Sequence, residues 1–252
     1  MKYNSISFII PAYKNQQVLD LCLNSIFTQT RKIDEVIVVD DASNPPIQIK
    51  IPEIKILFLT KNLGPANARN LGALQAKGDI LFFVDSDIIL DSEARERVLT
   101  GFSEKNVVAI HGIYSIPSYF KDFISAYKNI YWNFNQINRS DNSFSICSAI
   151  LAVPQKIFLT YGGFNTDSTI GEDREFGLFL KEKGHHVSLD KNLTGTHIRK
   201  FSFQQLMQHH FQNTVSLIGL LLASIRKHGA ETASGGAGHN QRLSILISPL
   251  VF

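Results

Sequence analysis

The stretch GDILFFVDSDIIL, residues 78–90, contains an unbroken apolar run that ends in two aspartates. The run Ile80–Val84 is bounded by Gly78–Asp79 and by acids, a pattern typical of a fully buried strand in a parallel sheet. Asp85 and Asp87 follow two residues apart, so they lie on the same side if extended geometry continues. Ligands of open α/β sheets bind beyond the carboxyl ends of the strands. Two carboxylates there suit Mg²⁺ or Mn²⁺, and a turn-capping role for Asp87 is the alternative.

Strands and helices alternate on the N-terminal side of this stretch. Apolar runs predict strands at Ser7–Ile10, Glu35–Val39 and Ile54–Leu59. Helical spacing and a proline at the start of the second helix predict helices at Gln16–Gln29 and Ala66–Ala76, with Gly78 as the second helix's C-cap. The resulting β-α-β-β-α-β order predicts parallel strands joined by right-handed crossovers, which is a doubly wound α/β sheet.

Three of the predicted strands end in distinctive side chains at the same edge of the sheet. Pro11 and Tyr13 follow the first strand, Asp40–Asp41 the second, and the two aspartates the fourth. Their convergence predicts a ligand crevice. No GxGxxG follows the first strand and no GxxxxGK[ST] occurs, which argues against a dinucleotide cofactor and a Walker phosphate cradle. If phosphates bind here, a metal and Arg69 are the expected counter-charges, and a solvated helix position is the alternative for Arg69.

Composition favours one large α/β domain, with or without an appendage, in a chain of 252 residues. The hydrophobic content of 44% and charge of 19% are ordinary for a globular protein. A net charge of +3 without a long basic run predicts no nucleic-acid partner. Cys22 lies in an apolar helical stripe and is predicted to be a core thiol. The cysteines and the short N-terminal apolar run, which stops at Pro11, fit a reduced, cytoplasmic protein without a signal peptide.

The second half of the chain has a less regular pattern. Val107–Tyr114 and Ser145–Val153 are predicted strands. Between them, Tyr119–Phe134 is rich in aromatic residues and contains Trp132, which is more typical of core or a mobile flap than of a sugar-binding platform. A glycine-containing loop then leads to Glu172–Asp173 at the start of a helix. The helix dipole explains acids there, and a catalytic carboxylate does so equally well, since spacing does not separate the two.

Five motifs, in this order, resemble the family 2 glycosyltransferases of the GT-A fold. They are FIIPAYKN (8–15), EVIVVDDAS (35–43), NLGPANARNLGALQAKGDILFFVDSD (62–87), GGFN (162–165) and GEDREFGLFLKEKG (171–184). The resemblance covers about residues 5–200. It implies a GT-A fold, a nucleotide-diphosphate sugar donor, a divalent metal (Mn²⁺ or Mg²⁺) and inversion at the anomeric carbon. A UDP-sugar is the expected donor, on grounds of frequency alone.

The resemblance also implies roles for residues around the donor. Pro11 and Tyr13 would flank the nucleoside, and Asp41 would accept a hydrogen bond from the base. Asp85 would lie near the ribose or a metal-bound water. Arg69 is expected to face the phosphates.

Three further roles follow from the resemblance. Asp87 would ligate the metal that bridges the diphosphate, and His197 would contact the metal or diphosphate, with a structural histidine as the alternative. Asp173 would be the general base that takes the acceptor hydroxyl's proton. The chemistry is consistent, because the metal stabilises the leaving diphosphate and a poor hydroxyl nucleophile needs help in deprotonation.

Three other functions fit part of the pattern. A haloacid-dehalogenase-like phosphohydrolase would use Asp85 as its nucleophile in a DxDx[TV] motif, but residue 89 is isoleucine and Asp41 and Asp173 would be unexplained. A sugar-nucleotide pyrophosphorylase would need a glycine- and basic-rich loop after the first strand, and this sequence lacks one there. A catalytically silent nucleotide-sugar-binding protein shares every binding motif.

The C-terminal part predicts a second unit, with residues 1–200 as the catalytic domain and 201–252 as a helical segment. A helix is expected over Leu206–Lys227, whose apolar run Thr214–Ile225 is too short to span a membrane and suits the interface. The small polar stretch Gly229–Gln241 predicts a mobile linker.

The final run Leu243–Phe252 is apolar and is interpreted as the start of a transmembrane segment. Packing of both apolar stretches against the catalytic domain, or in a homodimer, is the alternative. The sequence therefore predicts an enzyme at the cytoplasmic face of the membrane. Its acceptor would be a saccharide or a lipid-linked molecule of cell-envelope synthesis.

Overall fold

The computed structural model describes residues 3–30, 33–104, 106–116, 118–139, 145–168, 171–208, 210–212, 214–215 and 218. The strands are β1 Ile6–Ala12, β2 Glu35–Asp40, β3 Ile54–Phe58, β4 Ile80–Val84, β5 Ile88–Leu90, β6 Val107–Tyr114, β7 Ile150–Pro154 and β8 His186–His197. The helices are α1 Gln16–Phe27, α2 Pro65–Gln75, α3 Ala94–Gly101, α4 Phe123–Ile137, α5 Gln155–Thr160 and α6 Glu172–Glu182. Helical backbone begins again at Phe203, three residues before the predicted start.

The eight strands form one sheet in the order β3-β2-β1-β4-β7-β6-β8-β5. β1 pairs in parallel with β2 and β4, and β2 with β3, as the βαβ pattern predicted. β7 is antiparallel to β4 and β6, and β5 is antiparallel to β8, so β5 and β7 run against the other six strands. The predicted mostly parallel α/β sheet is confirmed.

Apolar clusters cover both faces of the sheet, because successive strand residues point to opposite sides. Phe8 and Phe82 belong to the cluster that contains Cys22 of α1, the predicted core thiol. Ile9 and Phe83 belong to the opposite cluster, which includes residues of α2, α5 and α6. Strands covered on both faces are apolar throughout, which explains their unbroken sequence runs.

β1 extends through Pro11 to Ala12, two residues beyond the predicted end. Proline has no N–H and is tolerated in a strand only where that donor is not needed. β4 pairs with β1 only as far as Ile9, so Pro11 lies where one side of the strand has no ladder partner. This places Tyr13 directly beyond the sheet edge.

The backbone after β4 does not continue as a strand. The amide of Ile88 donates to the carbonyl of Asp85 at 3.0 Å, so residues 85–87 form a turn and β5 follows at once. Asp and Ser are turn-forming residues, which accounts for this geometry. The two aspartates therefore have different neighbours. The strand predicted over Ser145–Val153 is shorter in the structure, because β7 begins only at Ile150.

The prediction that Gly78 is the C-cap of α2 is wrong. The helix ends at Gln75, followed by Ala76 in an extended conformation. A Cβ at Gly78 would lie 2.6 Å from the backbone nitrogen of Ser7. Glycine is needed there because β1 approaches closely.

The aromatic stretch is helical and forms α4, which packs on β6. The stretch is therefore a regular helix against the sheet, and its mobility as a flap stays a prediction. Among the described residues, no helix is long and apolar enough to cross a membrane. The predicted linker Gly229–Gln241 and the apolar run Leu243–Phe252 lie outside the described residues, as does most of Thr214–Ile225. The division into units 1–200 and 201–252 stays a prediction.

Candidate active site

The ends of four strands meet at one edge of the sheet. β1, β2, β4 and β8 run in the same direction, so residues at or just beyond their carboxyl ends lie together. These residues are Tyr13, Asp41, Asp85 and His197. β7 runs the other way, so Ser148, just before it, lies at the same edge. The predicted crevice is therefore built from both halves of the chain.

Arg69 in α2 joins carboxylates from two distant parts of the chain. Its Nη2 lies 2.6 Å from Asp85 Oδ1, and its Nη1 lies 2.6 Å from Glu172 Oε1. The side chain is 3% exposed, so it is not the solvated residue of the alternative interpretation. Burial works to lower the pKa of the guanidinium, but the charges of Asp85 and Glu172 raise it above its ordinary value. Arg69 is thus a fixed cation that holds the end of β4 to the start of α6.

Asp87 and His197 form a second pair at this edge. Asp87 Oδ2 lies 3.3 Å from His197 Nε2, and both side chains are largely buried. The pairing of β5 with β8 creates the contact, because Ile88 is opposite His197 in the register. Burial works to raise the pKa of Asp87, but the hydrogen bond and charge of His197, with the charge of Arg199, lower it below its ordinary value. Asp87 is therefore ionised at neutral pH.

The Asp87–His197 pair fits a divalent cation. Ligand atoms about 2.1 Å from an octahedral Mg²⁺ or Mn²⁺ lie about 3 Å apart at neighbouring positions, close to the observed separation. A carboxylate suits either ion, and an imidazole favours the transition metal. No group of three or more His, Cys, Asp or Glu forms a metal cluster within the described ranges. The two side chains would therefore hold an ion that takes its other ligands from water and phosphate oxygens.

Aromatic rings enclose His197. The centroids of the Tyr114, Trp132 and Phe201 rings lie 5.1, 4.9 and 6.0 Å from the imidazole centroid. Burial raises the pKa of Tyr114 well above its ordinary value, and the nearby carboxylates Asp85 and Asp87 act in the same direction. The Tyr114 hydroxyl therefore stays protonated and neutral. Trp132 comes from the aromatic stretch, so α4 forms one wall of the site.

Asp173 lies in the first turn of α6. Its Oδ2 accepts a hydrogen bond from the Ser148 amide at 3.2 Å, and its Oδ1 accepts one from the Arg174 amide at 2.8 Å. The residue after Ser148 contacts the aspartate turn, because the Asp85 amide donates to the Ala149 carbonyl at 3.1 Å. Asp173 therefore contacts the same short segment as the end of β4. Glu172 and Asp173 therefore do more than cap α6, because each also contacts a residue outside that helix.

The residues predicted to hold the nucleoside differ in exposure. Tyr13 is 42% exposed at the end of β1, and Pro11 is half-buried. Asp41 is 4% exposed, and its two carboxylate oxygens accept from the amides of Leu63 and Gly64 at 2.8 Å each. Asp41 thus fixes the turn that begins α2. Its contact with a nucleobase stays a prediction.

Asn70 is a site residue that the sequence did not reveal. Its Oδ1 accepts from the Phe164 amide at 2.9 Å, and its Nδ2 donates to the Phe164 carbonyl at 2.7 Å. A Cβ at Gly163 would lie 2.6 Å from the same Oδ1, so the GGFN motif fits closely over α2. Asn70 and Phe164 are 94 residues apart in the sequence, so no local sequence pattern predicts their contact. Ser148 was missed for the same reason.

The sequence model described as "Glycosyl transferase family 2" matches residues 7–159, more than half of the 252-residue chain. The chain belongs to glycosyl transferase family 2. The match includes Arg69, Asp85 and Asp87, whereas Asp173 and His197 lie beyond it. Membership of this family decides between the two enzyme classes, a glycosyltransferase and a haloacid-dehalogenase-like phosphohydrolase, in favour of the first.

Curated relatives of this family 2 protein include bacterial glycosyltransferases. An uncharacterized glycosyltransferase of Haemophilus influenzae is 33% identical over 117 residues, which are 44% of this chain and 47% of the relative. The poly(ribitol-phosphate) beta-N-acetylglucosaminyltransferase TarP of Staphylococcus aureus is 28% identical over 200 residues, 73% of this chain and 60% of TarP. The chain thus spans about half the length of the first relative and less than two thirds of the second.

Solved structures share the fold. The mannosyltransferase PcManGT of Pyrobaculum calidifontis, in complex with GDP-Man and Mn²⁺, superposes with a TM-score of 0.61 at 15% identity, covering 98% of this chain and 86% of that one. Staphylococcus aureus TarS, residues 1–349, gives a TM-score of 0.59 at 16% identity, covering 98% and 71%. At these identities the similarity concerns the fold alone, and it confirms the expected GT-A architecture.

Proposed function

We propose that this family 2 protein is a metal-dependent, inverting glycosyltransferase that moves a hexose from a nucleotide-diphosphate donor to an acceptor hydroxyl. The main support is the bridge made by Arg69, which links Asp85 beside the metal-binding pair to Glu172 beside Asp173. A donor-binding region and a candidate base are thus held in one site. The donor-binding region and the candidate base come from separate elements. The base can therefore lie on the opposite side of the sugar from the leaving group, as in-line attack requires.

Asp87 and His197 would hold Mn²⁺ or Mg²⁺. The ion, when bound, would stabilise the negative charge that gathers on the leaving nucleoside diphosphate. Arg69 offsets part of the negative charge of Asp85 and Glu172 at the same edge, because its charge is fixed and buried. The Mn²⁺ in the name of the PcManGT complex agrees with this assignment.

Asp173 would act as the general base. Each of its oxygens accepts one amide hydrogen bond, and an ionised carboxylate has about four acceptor sites, so capacity for a hydroxyl remains. As the acceptor oxygen forms its bond to the anomeric carbon, its proton passes to Asp173. The bond between that carbon and the phosphate oxygen breaks, and the diphosphate leaves with the electron pair. Attack opposite the leaving group inverts the anomeric centre.

For the substrates, we propose a UDP-sugar as donor and a saccharide or lipid-linked molecule as acceptor. Pro11 and Tyr13 would flank the nucleoside, and Asp41 would accept a hydrogen bond from the nucleobase. The poly(ribitol-phosphate) acceptor in TarP's name supports a role in cell-envelope synthesis. This chemistry would take place at the cytoplasmic face of the membrane, and a homodimer is a compatible assembly.

The first test is a thermal-shift panel of UDP, GDP and their sugar conjugates, with Mn²⁺, Mg²⁺ or chelator. We expect one nucleoside diphosphate to raise the melting temperature only when metal is present. The donor so identified is then incubated with candidate acceptors, and the anomeric configuration of the product is read by NMR. Retention of configuration would reject the inverting mechanism, and intact donor binding without any transfer would indicate a silent binding protein.

A further inference from the structure

Helix α4 has the opposite polarity from an ordinary surface helix. Its buried side chains are polar: Ser125, Lys128, Asn129, Asn133 and Gln136. Its exposed side chains are apolar or aromatic: Phe123, Tyr127, Ile130, Phe134 and Ile137. Phe123 is 79% exposed and Phe134 is 57% exposed. Soluble helices place such a stripe toward the core, so an outward stripe indicates an interaction surface.

Specific hydrogen bonds fix α4 in this orientation. Asn129 Nδ2 donates to the Ser115 carbonyl at 2.8 Å, and Gln136 Oε1 accepts from the Tyr114 amide at 2.7 Å. Asn133 Nδ2 donates to the Tyr114 carbonyl. Rotation of the helix to bury its aromatic face would break all three hydrogen bonds. The outward stripe is therefore a built feature of the fold.

A second apolar stripe adjoins the first. The helical residues after β8 expose Phe203, Met207, Phe211, Val215 and Ile218, spaced by three or four positions along one helix face. The two elements touch, because the rings of Tyr131 and His210 lie 5.0 Å apart and the Phe201 amide donates to Ser125 Oγ at 3.0 Å. We call the two stripes together the apolar surface.

The charge around the apolar surface is mainly positive. The described residues from 191 onward contain three cations, Lys191, Arg199 and Lys200, and no Asp or Glu, while Asp122, which caps α4, lies near Lys200. Lys121, Arg199 and Lys200 are exposed near the start of α4. The residues of α4 itself include no acid. A second copy of the chain would bring like charges together, whereas an anionic lipid headgroup would complement them.

We propose that the apolar surface lies on anionic membrane, with the rings of α4 in the headgroup and acyl boundary and the flanking cations at the phosphates. No described helix is long enough to span the bilayer, so the contact is interfacial. The opposite face of α4 bonds to the end of β6, and Trp132 of the same helix packs on His197. The site would thus lie about one helix diameter, roughly 10 Å, from the lipid.

Vesicle flotation of the full chain tests this surface without donor or acceptor, so its result is independent of the proposed transfer reaction. Vesicles of phosphatidylcholine are compared with vesicles of equal parts phosphatidylcholine and phosphatidylglycerol. We expect binding to the anionic vesicles that weakens as salt is raised. Phe123→Ser/Phe134→Ser is expected to lower the partition constant by about 10-fold or more, because two exposed rings lose their apolar contact. The matched control Phe58→Ser/Leu74→Ser removes apolar groups that are similarly exposed on other elements and should bind like the wild type.

A second variant tests the charges. Lys121→Gln/Lys200→Gln should reduce binding to anionic vesicles several-fold and remove most of its salt dependence. Circular dichroism melting verifies that each variant is folded. Failure of the wild type to float, or equal binding of wild type and the phenylalanine variant, would overturn the proposal. Dimerisation that the phenylalanine variant abolishes, without any lipid binding, would overturn it in favour of a second copy.

Discussion

The first half of the sheet, with α1 and α2, and the second half, with α4, distribute their polar groups in opposite ways. In α1 the buried side chains include Leu19, Cys22 and Ile26, the usual apolar stripe. In α4 the buried side chains include Lys128 and Asn133, and Phe123, Tyr127 and Phe134 are exposed. Burial of Lys128 lowers its pKa to about 8, a cost that an ordinary helix face avoids. Hydrophobic periodicity therefore predicts the buried face of α1 correctly and that of α4 wrongly, whereas α6 again buries its apolar residues Phe176 and Leu180.

The two halves also divide the site between them. The first half supplies Arg69 and the aspartates after β4, and the second supplies Glu172, Asp173 and His197. If this division is functional, loss of Asp87 should affect donor binding, whereas loss of Asp173 should affect transfer. Four substitutions test it.

The largest effect is expected for Asp87→Ala, which removes the carboxylate of the proposed metal-binding pair. We expect metal-dependent affinity for UDP or GDP to be lost, because a single imidazole would hold the ion poorly. Calorimetry with and without Mn²⁺ measures this. Asp91→Ala, an exposed aspartate four residues later, is the control. Unchanged metal-dependent affinity in Asp87→Ala would refute the assignment.

Asp173→Asn tests the second half. The amide keeps the shape of the side chain but takes no proton, so transfer should fall by roughly 10²–10⁴-fold with donor affinity nearly intact. Product formation and calorimetry are compared on the same preparation. Glu175→Gln, on the same helix, should retain activity. Equal loss of donor binding and transfer would make Asp173 a donor ligand or a structural residue.

Arg69→Met tests the link between the halves. The change leaves Asp85 and Glu172 without their cation, and we expect a loss of about 3 kcal/mol in unfolding free energy. Urea unfolding measures this. Arg97→Met breaks partly exposed pairs with Glu93 and Asp190 and should cost less than about 1 kcal/mol. Adding Glu172→Gln to Arg69→Met should restore part of the stability, and no restoration would argue against charge as the cause.

Asn70→Ala should have the smallest effect on stability, about 1–3 kcal/mol, because the Phe164 amide and carbonyl lose their partner. Since Phe164 precedes α6, the transfer rate should fall more than donor affinity does. Asn67→Ala, one turn earlier on α2, is the comparison, as its side chain donates to the carbonyl of Leu63 just before the same helix. A fall in donor affinity alone would place the effect in the first half.

Much of the first half could be predicted because its signals are local. The run Ile80–Val84 matches β4 residue for residue, and Val107–Tyr114 matches β6. Turn geometry was harder, since the same-side argument for Asp85 and Asp87 assumed extended backbone, and residues 85–87 form a turn before β5. A three-residue strand such as β5 depends on its partner β8, and its own sequence does not distinguish it from a turn.

The site residues were located better than their partners. Arg69 was selected as a counter-charge for phosphate, but its two carboxylate partners come from positions that no spacing rule connects. The polar inner face of α4 could not be anticipated either, because its hydrogen bonds go to the backbone of β6. Residue types predicted the chemistry of the site, whereas the partner of each side chain is known only from the tertiary contacts.

The register of β5 against β8 has a consequence for biosynthesis. Asp87 is translated well before His197, and the two side chains meet only when the last strand docks beside the shortest one. A nascent polypeptide therefore lacks His197, the second residue of the proposed metal-binding pair, until β8 has left the ribosome. If the two side chains hold an ion, the capacity to capture it would be acquired only at the end of domain synthesis.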